Sequence, residues 1–226
     1  MSQRLTYIEI DVPVCSLRYG VGDCPAVLGV DSAIKCFNTF NTCPVQDSYD
    51  ETLVTLRFGK DVGYLPGDID CIPSLVDVSF SPAIVSLGEN LGVRGTLEAT
   101  FKDHPDPDTH AAGDPYILER GYDPFSLGSF WGKWRARLPW LRARAIRLIR
   151  GEVGQTLAQM ETRHYVIEQT DGPKSDGTFV ITAKDPLKLL DGDRAVAPLP
   201  NNGYVVTGFN AAAGSFTLGQ IGRAHV

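Results

Sequence analysis

Seven short runs of alternating apolar and polar residues, one helical stretch between the fourth and fifth, and a loop-rich segment with four cysteines near the start predict a mainly β chain. The expected architecture is an N-terminal four-cysteine module followed by a β-barrel-like domain with an inserted helix, helix being the minor component. Three regions follow: residues 1–70, the cysteine module with flanking strands; 71–198, a β-rich domain; and 199–226, the start of a further domain.

The first strand is expected over Arg4–Val14, where Tyr7, Ile8 and Ile10 are strong β-formers. Residues 15–49 are rich in Pro, Gly and Asn and predict turns rather than helix. A second strand fits Thr52–Phe58, in which Val54, Leu56 and Phe58 alternate with Leu53, Thr55 and Arg57. Further strands fit Ser74–Ser81, Gly95–Lys102, Ala145–Arg150, Arg163–Gln169 and Gly177–Ala183. The helix is expected over Pro124–Leu138, with Phe125, Phe130, Trp131 and Trp134 at helical spacing. The segment Asp103–Pro115, with three prolines and His104, Asp106, Asp108 and His110, predicts an irregular exposed loop. A short helix over Asp185–Leu190 has Asp185 as its cap and Pro186 in its first position.

Cys15, Cys24, Cys36 and Cys43 leave eight, eleven and six residues between them. Loops of that length let each sulfur reach a shared centre from a separate turn, and they are longer than the knuckles of zinc fingers. Zinc and a four-thiolate iron–sulfur cluster both suit such a donor set. Two disulfides and four unrelated free thiols are the competing readings, the second disfavoured because the cysteines cluster in loops rather than scattering through apolar elements. Against disulfides, Met1–Ile10 carries Arg4 and Glu9 and no apolar leader, which points to synthesis in a reducing cytoplasm. Cys71, between Asp70 and Ile72, reads as a small buried hydrophobe.

With 21 basic and 27 acidic residues, a net charge of -6, nucleic acid is not expected as the main partner, and no run is long and apolar enough to span a bilayer. One basic stretch stands out: Lys133, Arg135, Arg137, Arg142, Arg144, Arg147 and Arg150, interleaved with Trp131, Trp134 and Trp140 and free of acids. It reads either as a subunit contact over Trp131–Arg150, to be tested at Trp134 and Arg137, or as a solvated face with the tryptophans packed inward.

In order, the runs CSLRYG at 15–20, KCFNT at 35–39, Thr42-Cys43, TFKDH at 100–104, Asp114-Pro-Tyr116, SFWGK at 129–133, TRHYVIE at 162–168 and KDPLK at 184–188 resemble the tail-tip and hub proteins of long-tailed phages and gene transfer agents. The resemblance covers about residues 5–198. It implies a structural protein of the virion tail, made and assembled in the cytoplasm of a bacterial host. In it Cys15, Cys24, Cys36 and Cys43 hold a [4Fe-4S] cluster, with zinc the alternative, and the barrel-like hub domain joins a ring continuing the tail tube. The partners it implies are copies of the same chain, three to a hub, with the distal tail ring and the other tail-tip proteins; direct insertion into a membrane is not expected.

Enzymatic activity is not expected. His104 and His110 lie in the proline-rich loop, His164 lies in a strand, and no Cys/His signature surrounds Cys71. Asp103, His104, Asp106 and Asp108 can bind a cation, although an exposed acidic loop is the commoner outcome. An iron–sulfur electron carrier and a zinc-stapled interaction module are the alternative functions. Against the carrier, Gly59–Gly63 lacks the glycine pattern of a phosphate loop. Ile221–Val226 can be encoded by a sequencing-adaptor sequence, so the natural coding sequence is expected to diverge there and continue into further domains.

Overall fold

The computed structural model describes residues 3–26, 36–60, 69–82, 95–186, 204–205 and 218–219. Seven strands, β1 (Arg4–Cys15), β2 (Glu51–Lys60), β3 (Ile72–Ser81), β4 (Thr96–Lys102), β5 (Ala145–Glu152), β6 (Glu161–Asp171) and β7 (Thr178–Lys184), form a closed barrel in the order β1-β2-β3-β4-β7-β6-β5. Closure comes from β1, which pairs antiparallel with both β2 and β5. Every pair is antiparallel except β2 with β3, which run parallel and meet only near Phe58 and Lys60.

Strand alternation decides the register. Ile8 of β1 stands opposite Phe58 of β2 and Leu148 of β5, and Ile10 stands opposite Leu56 and Ile146. On the other side Leu97, Ala99 and Phe101 of β4 face Ala183, Ile181 and Phe179 of β7. All of these are buried in one core, so a one-residue slip would turn a whole row outward. Pro13 fits within β1 because pairing to β5 stops at Ile10, which leaves the proline without a ladder duty on that side. On the opposite face, Leu5 and Tyr7 form a smaller cluster with Ile69, Ile149 and Met160, and Cys71 packs against it half-buried. Gly59 admits that thiol: a Cβ there would stand 2.8 Å from Cys71 Sγ.

The expected helix over Pro124–Leu138 is divided. Asp103 caps the true helix, α2 (Phe130–Arg137), and a separate 3-10 turn, Pro124–Leu127, precedes it. Gly128, at φ 102°, makes the break, a conformation that side chains rarely adopt. The helix adds its own aromatics to the barrel core. Trp131 stacks on Phe179 with centroids 4.2 Å apart, and on Trp134 and Phe58 at 4.8 and 5.3 Å. Its indole N–H donates to Ser74 Oγ at 3.0 Å, and that hydroxyl donates to the Lys102 carbonyl at 2.7 Å, so the buried polar groups are satisfied.

The barrel uses strands from both sides of residue 70. The cysteine segment is therefore the connection between β1 and β2, and a shorter helix, α1 (Ile117–Arg120), lies with α2 in the connection between β4 and β5. By contact clustering, residues Met1–Pro186 form one unit and Leu187–Val226 a second. In the second, β8 (Tyr204–Val205) and β9 (Leu218–Gly219) pair antiparallel. The helix expected over Asp185–Leu190 and most of 199–226 fall outside the described residues.

Candidate metal centre

The segment that carries the cysteines leaves and re-enters the barrel at one point. Cys15 ends β1 opposite Glu51 of β2; its N–H donates to the Asn38 carbonyl at 2.6 Å, and Ser16 N–H donates to Asp50 at 2.9 Å. Each remaining cysteine sits on its own turn. Cys24 N–H donates to the Val21 carbonyl after a turn containing Gly20 and Gly22, both at positive φ. Cys36 precedes Asn38, at φ 54°, and Cys43 closes the 3-10 turn Phe40–Thr42.

The strand end and the connection after it bring all four sequence-identified cysteines to the wall of one cavity, with Leu17, Pro25 and Val45 as apolar neighbours. Cys36 is buried and the other three are half-buried; all five cysteines are free thiols. Burial pushes the Cys36 and Cys43 thiols up from their ordinary value. Charge on the neighbouring sulfurs adds to this, from Cys43 and Cys15 on Cys36 and from Cys15 and Cys24 on Cys43.

Two measurements bear on which metal fits. No three of the sulfurs lie within 4.8 Å of one another, whereas tetrahedral zinc with Zn–S bonds of about 2.3 Å brings thiolates to about 3.8 Å. The enclosed space is about 10 Å³, the room of one water-sized object and too little for a four-iron cluster unless the side chains turn.

A second cluster emerged where an exposed loop was expected. Asp106, Asp108, Ala112 and Asp114 are buried, and ligand atoms of Asp106, Asp108 and His110 lie within 4.8 Å of one another. The exposed-loop reading is corrected for a physical reason: α2 supplies the counter-charges. Arg137 grips Asp108 in a bidentate pair at 2.5 and 2.6 Å, and Lys133 Nζ lies 3.5 Å from Asp108 and 3.7 Å from Asp106 while donating to the Asp106 carbonyl at 2.8 Å. Burial pushes Asp106 up, but the His110 contact, the Asp108 amide and the nearby positive charges outweigh it and hold the carboxyl below its ordinary value. Two carboxylates met by two cations form a paired buried network, in which Asp106 Oδ2 has no hydrogen-bond partner. Gly113 is required in the same loop, since a Cβ would come within 2.2 Å of the Asp108 carbonyl.

Within the expected subunit contact over Trp131–Arg150, the two residues chosen to test it, Trp134 and Arg137, do not face outward. Both are 5% exposed, Trp134 in the aromatic stack and Arg137 on Asp108. Of the three tryptophans only Trp140 faces outward, 78% exposed. The basic stretch is dispersed into pairs: Arg144 with Glu51, and Arg147 with Glu9 and Asp11. Asp103, rather than ligating, accepts from the Trp131 and His104 amides and the Ser129 hydroxyl.

Sequence reasoning missed the residues that surround the cysteines. Arg120 donates to the Cys36 carbonyl and pairs with Asp114 at 2.9 Å, and Tyr122 also donates to Asp114. The Arg137 guanidinium lies 4.1 Å from the Phe37 ring centroid and that of Arg120 lies 4.9 Å away, holding the segment between two cations. The only signal was the Asp114-Pro-Tyr116 run, which has no local pattern of a ligand. Among the described residues no helix is long and apolar enough to cross a membrane. Comparisons of the chain with protein-family models, with characterised proteins and with solved structures found no match.

Proposed function

We propose that this chain is a structural component of a phage tail tip or hub that works by assembly, with Cys15, Cys24, Cys36 and Cys43 holding a [4Fe-4S] cluster. The observation that carries the reading is that four cysteines, one at the end of β1 and three from the connection that follows, line one cavity in a segment whose described residues bury only Ala26 and Cys36 among the apolar ones. When bound, the cluster supplies four iron–thiolate bonds that cross-link that segment and stand in for the missing core. The barrel supports a structural role because its interior is filled by Trp131, Trp134 and Phe130. Copies of the chain, three to a ring, and neighbouring tail proteins are the partners of this reading, and the exposed Trp140 and the adjacent Arg142 are the part of the basic stretch that remains free to meet them.

The small enclosed space favours a second occupant of the same four thiolates, a single zinc ion in a stapled interaction module. Native mass spectrometry of protein purified without oxygen separates the readings. A trimer whose chains each carry about four irons and four sulfides is expected. One zinc per chain selects the second reading, and a monomer without metal overturns both.

A further inference from the structure

We infer that Asn38 and Tyr116 are a positioning pair for the four-cysteine centre, tying two of its ligands to the connection between β4 and β5; the inference rests on the metal-centre reading above. Asn38 touches two of the four cysteines with nearly every polar atom it has. Its left-handed backbone, which asparagine tolerates better than most residues, folds the chain back so that its N–H donates to Cys36 Sγ at 3.4 Å. Its carbonyl accepts from Cys15 N–H at 2.6 Å, and its Nδ2 donates to the carbonyls of Cys15 at 3.3 Å and Leu17 at 3.4 Å. Cys15 is thus held through both its N–H and its carbonyl, and Cys36 through its sulfur.

The last amide atom, Oδ1, lies 3.6 Å from Cys36 Sγ. A thiol can donate to it, but a metal-binding thiolate cannot, and an oxygen facing a thiolate is repulsive. Tyr116 offsets this repulsion. Its hydroxyl donates to Oδ1 at 2.7 Å, drawing electron density away from the sulfur and fixing which way the amide faces, and it accepts the Tyr19 N–H at 2.8 Å. Asp114 anchors the phenol's own backbone by accepting from Tyr116 N–H at 2.9 Å. Partners of this kind, beyond the ligands themselves, orient metal ligands and tune the metal, and bonds to cluster sulfurs move its reduction potential.

The test compares wild type with Asn38→Gly and Tyr116→Phe, all purified without oxygen. Glycine keeps the left-handed backbone and the N–H to sulfur while deleting the amide, and phenylalanine deletes only the hydroxyl. Release of iron to a chelator and the midpoint potential of the bound centre are measured, with barrel melting by circular dichroism as the control. About tenfold faster release and a shifted potential are expected in both variants, with the barrel transition unchanged. A loaded wild type whose variants match it in release rate and potential overturns the inference and leaves the metal centre standing. A wild type that binds no metal overturns the metal-centre reading, and this inference with it.

Discussion

In the barrel, Trp131 touches Phe58, Phe101, Trp134 and Phe179 at centroid distances from 4.2 to 5.3 Å, and inward residues from all seven strands join it in one core. Between Ser16 and Asp50 the buried apolar residues, among those described, are Ala26 and Cys36 alone. The two regions meet at the Cys15–Glu51 pair, yet they depend on different physics. One buries enough apolar surface to offset its chain entropy; the described part of the other is held by hydrogen bonds from Asn38, Tyr116 and Arg120, and a metal at its four sulfurs is the cross-link proposed for it. On the proposed reading the chain would lose its metal and keep its barrel, which separates the two contributions experimentally.

The largest effect is expected from breaking the barrel's side of the comparison. Trp131→Ala removes the ring at the centre of the stack and should cost about 3–5 kcal/mol in chemical denaturation, with the whole barrel unfolding in one transition. Arg137→Ala tests the buried ion network that joins α2 to the Asp106–Asp108 loop. It leaves the Asp108 carboxylate without its bidentate partner, and a loss of about 3 kcal/mol is expected in the same assay, with Lys133 retaining part of the compensation.

A smaller effect follows from pH. Burial raises Asp11, but hydrogen bonds from Arg147 and Thr55 outweigh it and hold the carboxyl below its ordinary value, as the His110 contact does for Asp106. Both groups bind protons less readily folded than unfolded. Their stabilisation is therefore complete above about pH 4 and is lost as the pH falls through the folded-state values. Denaturation midpoints followed downward from neutral pH should fall in that acid window, and Asp11→Asn should shallow the fall. The smallest effect belongs to Trp140→Ala, which exposes nothing that was buried and should change stability by no more than about 0.5 kcal/mol. A larger loss would mean that Trp140 packs within the chain.

All seven barrel strands were legible in the sequence within a few residues, because a strand with one buried face writes that face into every second position: Leu97, Ala99 and Phe101, or Phe179, Ile181 and Ala183. The sequence spacing singled out the four cysteines that line one cavity, but not what that cavity holds. What was not legible depends on partners distant in sequence. Asp106 and Asp108 read as solvent-exposed until Lys133 and Arg137, one helix away, are brought to them. Trp134 and Arg137 read as a contact surface because a buried arginine and an exposed one look alike without their neighbours. Asn38 shows nothing in sequence of its bond to Tyr116, 78 residues on. The parallel pairing of β2 with β3 and the closure of β1 onto β5 leave no local pattern at all.

The most direct measurement is iron, sulfide and zinc analysis with a visible spectrum on protein purified without oxygen, beside a Cys36→Ser/Cys43→Ser variant and with circular dichroism on both. A coloured wild type with about four irons per chain, and a colourless variant that keeps the β spectrum and its cooperative melt, is the expected result. A wild type with no bound metal, or a variant that loses the barrel along with the metal, would contradict the division between a self-sufficient barrel and a metal-held segment.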